Sequence, residues 1–210
     1  MKNPFFNFLI ICILSILLND LLNEVLQLKE LIYSSLAQRL TSRQIEEYFE
    51  LQYKWKWMAY VLIPLLILIK VSLITSVLYI GTFFFSKKII DFKQLWSIVI
   101  KAEFALLLVP IFKIIWFYFF EPNYNLEDLQ YFHPLSALNI VGYKGLEPWL
   151  IYPFQIINLF ELAYWLLLAY FIGKITETNM DRGLKIVASS YGSALLLWVA
   201  VIMFFTLNYS

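Results

Sequence analysis

The chain has 210 residues, 61% hydrophobic and 19% aromatic, with 15% charged and a formal net charge of +1. A soluble domain is nearer half apolar and a quarter charged, so this composition excludes an ordinary water-soluble globule and indicates a membrane protein. The near-neutral charge argues against a nucleic-acid-binding surface. A single cysteine (Cys12) and a single histidine (His133) exclude an intrachain disulfide, a thiolate cluster or a multi-histidine metal site.

In chain order, the first apolar segment covers residues 5–22, with Lys2 in front and Asn19, Asp20, Asn23 and Glu24 closing it. A charge followed by an apolar run resembles a signal peptide. No small-residue cleavage site follows closely, so the segment reads as a retained anchor. Its unbroken apolar part, Phe5 to Leu18, is short for a crossing. Residues 41–56 have the character of an amphipathic interfacial helix. Thr41 or Ser42 followed by Glu46 and Glu47 suits a helix start, and Glu50 and Lys54 form a favourable i,i+4 pair. Trp55, Trp57 and Tyr60 stand where interfacial aromatic anchors stand.

Four longer apolar segments follow at 57–85, 95–120, 149–173 and 184–207. Each exceeds the ~20 residues that a helix needs to cross the hydrocarbon core. The expected fold is therefore all-α, a single polytopic membrane bundle over 1–210 with about five crossings. The loop after 57–85 carries Lys87, Lys88 and Lys93, and the loop after 149–173 carries Lys174, Arg182 and Lys185. The long connection after 120 is acidic, with Glu121, Glu127, Asp128 and Glu147 against Lys144. Lys and Arg mark the cytoplasmic side, which places the N-terminus inside and the C-terminus outside. The basic residues between Asp20 and Lys56 run against this orientation.

Four ionisable residues fall inside the expected crossings: Lys70, Glu103, Lys113 and Glu161. Lys70 lies ~20 Å along its axis from Trp57, and Glu161 ~18 Å from Trp149, so both sit near the midplane. An unpaired charge there costs about 3 kcal/mol, which gives Lys70 and Glu161 a reason to pair. Glu103 and Lys113 are too far apart in height to pair with each other. Gln155, Asn158, Glu161, Trp165, Ala169 and Gly173 recur at three- or four-residue spacing and should face other helices or a wet cavity. Three roles stand open for Glu161: an ion pair or hydrogen bond within the bundle, a contact to a partner subunit, and proton or ion handling. Gln155 and Asn158 read as interhelical glue, and His133 as an anchor of the external loop. In the last segment Ala188 with Gly192 and Ser189 with Ser193 form small-xxx-small pairs that permit close helix packing. Pro64 and Pro110 should kink their helices.

The stretch "DFKQLWSIVIKAEFALLLVPIFKIIW" after a basic turn, then "INLFELAYWLLLAYFIGK" with its Phe…Trp…Gly order, then a last helix after a short turn, resembles the Yip-domain (Ypt/Rab-interacting-protein-like) membrane family in its short bacterial form. The resemblance covers most of the chain from the second crossing on. It implies a five-crossing helical domain with a cytoplasmic N-terminus, no catalytic site and no cofactor. Glu161 departs from it, standing where the family carries a small or hydroxyl residue. With a first crossing that begins at Phe5, the long cytoplasmic region of eukaryotic members is lacking, and small-GTPase binding is not expected.

The expected function is that of a non-enzymatic subunit in the bacterial inner membrane. It would assemble with other integral membrane proteins or with itself, in contact with the lipid bilayer and not with nucleic acid. A permease-like subunit of a transporter or export complex is the alternative. Intramembrane hydrolysis needs a nucleophile with a base, paired acids or a metal site, and the sequence offers none of these constellations.

Overall fold

The computed structural model describes residues 3–86 and 88–209. Among these residues the fold is all-helical, and the only β-type pairing is an isolated antiparallel bridge between Ser136 and Asn158. Lys2 and Lys87, used above for orientation, lie outside the described residues. Three helices are long and apolar enough to cross a membrane: Pro4–Val25, Ser42–Phe85 and the run Met180–Tyr209.

Helix α1, Pro4–Val25, begins where Asn3 Oδ1 accepts the Phe5 N–H at 3.2 Å and Pro4 takes the first helical position. It buries Phe8, Ile11 and Cys12 on one face, which gives Cys12 the role of a small apolar packing residue. The left-handed residue Gln27 (φ 47°) turns the chain into α2, Leu28–Leu36. Helix α3, Ser42–Phe85, is continuous over 44 residues, ~66 Å, so the amphipathic stretch 41–56 and the second apolar segment are one rod. Its start is held by Gln44 Oε1, which accepts the Thr41 N–H at 3.0 Å. The i,i+4 ion pair formed in its first turns is Arg43–Glu47 at 3.2 Å. The helix runs through Pro64 and buries Val71, Ile74, Thr75, Leu78, Gly81 and Thr82, a stripe at helical spacing.

The third apolar segment is two helices, α4 Phe92–Glu103 and α5 Leu108–Phe119. Between them Ala105, Leu106, Leu108 and Val109 each donate to the carbonyl three residues back. This tight turn ends at Pro110, which has no N–H to continue the α-helical ladder. Helix α4 is enclosed on nearly every side, burying Leu95, Ile98, Val99, Ile100 and Ala102 against α1, α3 and α9.

Three short helices follow: α6 Leu126–Tyr131, α7 Ala137–Val141 and α8 Pro148–Ile156. Helix α9, Leu159–Ile175, then leads through a turn to α10 Met180–Val187, a π-helical turn Ala188–Gly192, and α11 Ser193–Tyr209. Helices α9 and α10 meet backbone to backbone, because Gly183 faces the Ala169 carbonyl where a methyl group has no room. Lys88 and Glu177 form an ion pair at 2.6 Å, which sets the α3–α4 and α9–α10 loops side by side at one end of the bundle.

Candidate functional site

The fourth apolar segment does not form the single helix expected over 149–173. Pro153 lies inside α8, and the chain leaves the helix at Ile157 and Asn158 before α9 begins. Several of the freed backbone groups find partners. Ala137 N–H donates to the Ile157 carbonyl at 2.8 Å, and Leu159 N–H donates to the Leu135 carbonyl at 3.2 Å. Irregular backbone is tolerated in apolar surroundings only with such partners. Leu135 holds a left-handed φ of 55° to make this bridge.

Asn158 is therefore a helix cap and not interhelical glue. Its Oδ1 accepts the Glu161 N–H at 2.8 Å, and its Nδ2 donates to the Gln155 and Ile156 carbonyls at 2.8 and 3.2 Å. One side chain closes the end of α8 and opens α9. The break also divides the polar line seen in the sequence, leaving Gln155 on α8 and Glu161 in the first turn of α9. The small half of that line persists, since Ala169 and Gly173 are buried.

The charges of the apolar segments pair otherwise than expected. Lys70 donates to Glu103 Oε2 at 2.8 Å and not to Glu161. Helix α4 begins at Phe92, three residues earlier than the apolar segment suggested. From the helix ends Phe85 and Phe92, Lys70 and Glu103 lie ~22 and ~17 Å up their axes, a difference within reach of a lysine side chain. Glu103 is buried at the last position of α4, and the Lys70 ammonium also lies 5.8 Å from the Tyr164 ring centre. Glu103 Oε1 and the Tyr164 hydroxyl are both enclosed. They are close enough to interact electrostatically, but not in the geometry of a hydrogen bond.

Glu161 is held by neutral donors instead. Its Oε1 accepts from Trp165 Nε1 at 2.9 Å and from the Tyr191 hydroxyl at 2.7 Å. The Tyr191 ring packs edge-on against Tyr164 and Trp165, with centroids 5.7 and 5.8 Å away. Tyr191 is carried by the π-helical turn, an irregularity frequent at functional sites. The same turn changes the packing expected of the last segment. Ala188, Ser189 and Ser193 are exposed, whereas Gly192 is buried under Trp165 and Ser190 lies against Gly81. The extra residue in the π turn rotates the small-xxx-small pattern out of the register that 3.6 residues per turn assumes.

Beside Glu161 opens a cleft of 1020 Å³ between α5, the loop through α7, the α8–α9 break and α11. Its walls are apolar, among them Phe112, Trp116, Leu162, Leu195 and Val199. Glu161 Oε2 has no partner among the described residues and is not enclosed, and Glu161 is one of the residues that line this cleft. A smaller cavity of 310 Å³ lies against Lys70 and Glu103, walled by Ile11, Ser15 and Asn19 of α1. Lys113 makes no ion pair with a described residue. It stands near His133, whose imidazole is held below its ordinary pKa by burial first and by the Lys113 charge second. His133 Nδ1 is buried without a hydrogen bond to a described residue, and the His133 carbonyl accepts from Ser136 Oγ at 2.8 Å within the same turn.

Trp165 was detectable from sequence as the residue one turn after Glu161. Tyr164 and Tyr191 were not, because aromatic residues are plentiful in every segment and their hydroxyls become informative only once the helices are packed. Among the described residues no three His, Cys, Asp or Glu side chains converge as metal ligands. No protein-family model, curated protein or solved structure matches the chain.

Proposed function

We propose that the chain is a non-enzymatic integral membrane subunit of the Yip-domain type, sitting in the bacterial inner membrane and assembling with other membrane proteins or with further copies of itself. In this reading it crosses five times, with the N-terminus cytoplasmic and the C-terminus outside. The interrupted segments α4–α5 and α8–α9 are then its third and fourth crossings. The adjacency of the basic loops at Lys88 and Glu177 supports placing both on the cytoplasmic side.

The observation that carries the assembly role is α11. It has 17 residues and none of them is buried, and Leu196, Leu197, Trp198 and Phe204 are all more than half exposed. It packs along α8, where Trp198 Nε1 donates to the Tyr152 hydroxyl at 2.9 Å, and the rest of its surface is left uncovered. A helix with that much apolar surface uncovered suits an interface completed by another subunit. The absence of catalysis is supported by the serines of the last segment. Ser189 and Ser190 both donate to the Ile186 carbonyl, and Ser193 donates to the Ser189 carbonyl.

A photo-crosslinking residue placed at Leu197 tests the reading. A discrete protein adduct in native membranes is the expected result. Adducts to lipid alone, together with a monomer on mild solubilisation, would remove it. A permease-like subunit is the second reading, favoured by two interrupted helices that carry ionisable residues beside their breaks. Solute flux into vesicles that vanishes in Glu161→Gln and in Lys70→Met would raise it above the first.

A further inference from the structure

The cleft beside Glu161 has the size of a small-molecule site. Its 1020 Å³ lies at the upper end of ligand pockets. It falls well short of a crossing helix, a cylinder ~30 Å long and ~10 Å across. Its polar lining is sparse and mostly consumed. Ser136 Oγ donates to the His133 carbonyl, and both ends of the Asn158 amide serve the α8–α9 break.

Glu161 is the one ionisable side chain among the described residues that line the cleft. Its Oε1 is filled by two neutral donors, and its Oε2 is left without a partner among the described residues and is not enclosed. Lys70, the lysine expected to neutralise it, is committed to Glu103, and Lys113 is not among the residues that line the cleft. A carboxylate left without a counter-charge on an apolar wall is complemented by a cation that brings its own apolar body. Trp165, one turn after Glu161 and also lining the cleft, adds an aromatic ring of the kind that attracts an organic cation.

We propose that this cleft binds a lipophilic amine, with the ammonium on Glu161 Oε2 and the alkyl or aryl body along Phe112, Leu162, Leu195 and Val199. The amine carries no phosphate. No Lys, Arg or His lines the cleft, so a phosphate would stand beside Glu161 without a counter-charge. This goes beyond the assembly role and stands or falls without it.

The test uses the full chain in phosphatidylcholine nanodiscs with radiolabelled dodecylammonium, measured against protein-free nanodiscs. Saturable binding is expected, displaced by unlabelled dodecylammonium but not by dodecanol or dodecyl phosphate. Glu161→Gln keeps the shape and an acceptor for Trp165 and Tyr191, and is expected to weaken binding about tenfold, as loss of a partly desolvated ion pair does. Leu162→Trp narrows the cleft without touching the carboxylate and is expected to weaken binding as well. Binding no greater than in protein-free discs would overturn the proposal. So would competition by dodecanol equal to that of the amine, or unchanged binding in Glu161→Gln. Displacement when half the lipid is replaced by phosphatidylethanolamine would assign the site to lipid and overturn it too. The head-group series needs no variant, so the proposal remains testable even if Glu161→Gln does not fold.

Discussion

Two carboxylates lie within the helical bundle, and the protein treats them differently. Glu103 is sealed at the centre, 6% exposed, and meets the ammonium of Lys70 at 2.8 Å. Glu161 stands on the wall of a cleft and meets an indole and a phenol on one oxygen, with the other open. The first arrangement cancels a charge so that helices α3 and α4 can pack in apolar surroundings. The second keeps a charge positioned and leaves it uncancelled. Each acid has one oxygen without a hydrogen bond to a described residue, but Glu103 Oε1 is sealed among the protein's own groups, whereas Glu161 Oε2 is not enclosed and can be reached by something else.

The widest separation between the two should appear in stability. Lys70→Met leaves Glu103 enclosed without its cation and is expected to cost about 3 kcal/mol or more, the scale of breaking a buried pair by removing one partner. Lys70→Met combined with Glu103→Leu should recover most of that loss, measured as thermal unfolding of the purified protein in one detergent. Equal losses in the single and double variants would show that the pair is not what holds α3 to α4. Next in size is Asn158→Ala, which removes the cap of α9 and the closure of α8 together. It should cost about 1–2 kcal/mol in the same assay. Glu161→Gln preserves an acceptor for Trp165 and Tyr191 and should cost less than about 1 kcal/mol. A loss as large as that of Lys70→Met would place the two carboxylates in one class and break the comparison.

Sequence carried the helical class and the membrane-like composition, because apolar length is read directly from residues. It also placed four ionisable residues along the apolar segments. It did not reveal which of them pair, since partner choice depends on small axial offsets. Helix α4 starts three residues before its apolar stretch, at Phe92 behind Asp91, which raises Glu103 along its axis toward the height of Lys70. The polar line of Gln155, Asn158 and Glu161 was visible, but its meaning depended on whether the helix continues through it. Pro153 and Asn158 together argue for a break, and Asn158 three residues before Glu161 is a capping spacing that a hydropathy pattern hides. The π turn was out of reach, because nothing in Ala188–Gly192 distinguishes five residues wound loosely from five in an ordinary helix.

The smallest effect belongs to the loop that covers the cleft end of the bundle, and it reports on whether Glu161 and this loop form one unit. Tyr143 donates to Asp128 Oδ1 at 2.8 Å, while Asp128 Oδ2 accepts the Asn125 N–H at 3.1 Å at the start of α6. Partial burial, and then the bond to Asp128, push the Tyr143 phenol up to about 12. A phenol whose folded value lies above its unfolded one stabilises the folded loop in full below about pH 10. That contribution is lost as pH rises from there through about 12. The expected observation is a tyrosine absorbance step near the upper end of that window that is missing in Tyr143→Phe. If the loop braces the α8–α9 break, as the Ala137–Ile157 and Leu159–Leu135 bonds require, hydrogen exchange at Leu159 and Glu161 should quicken in Tyr143→Phe while exchange at Glu103 stays unchanged. Faster exchange at both carboxylate sites would mean that the loop supports the whole bundle and not the Glu161 side alone.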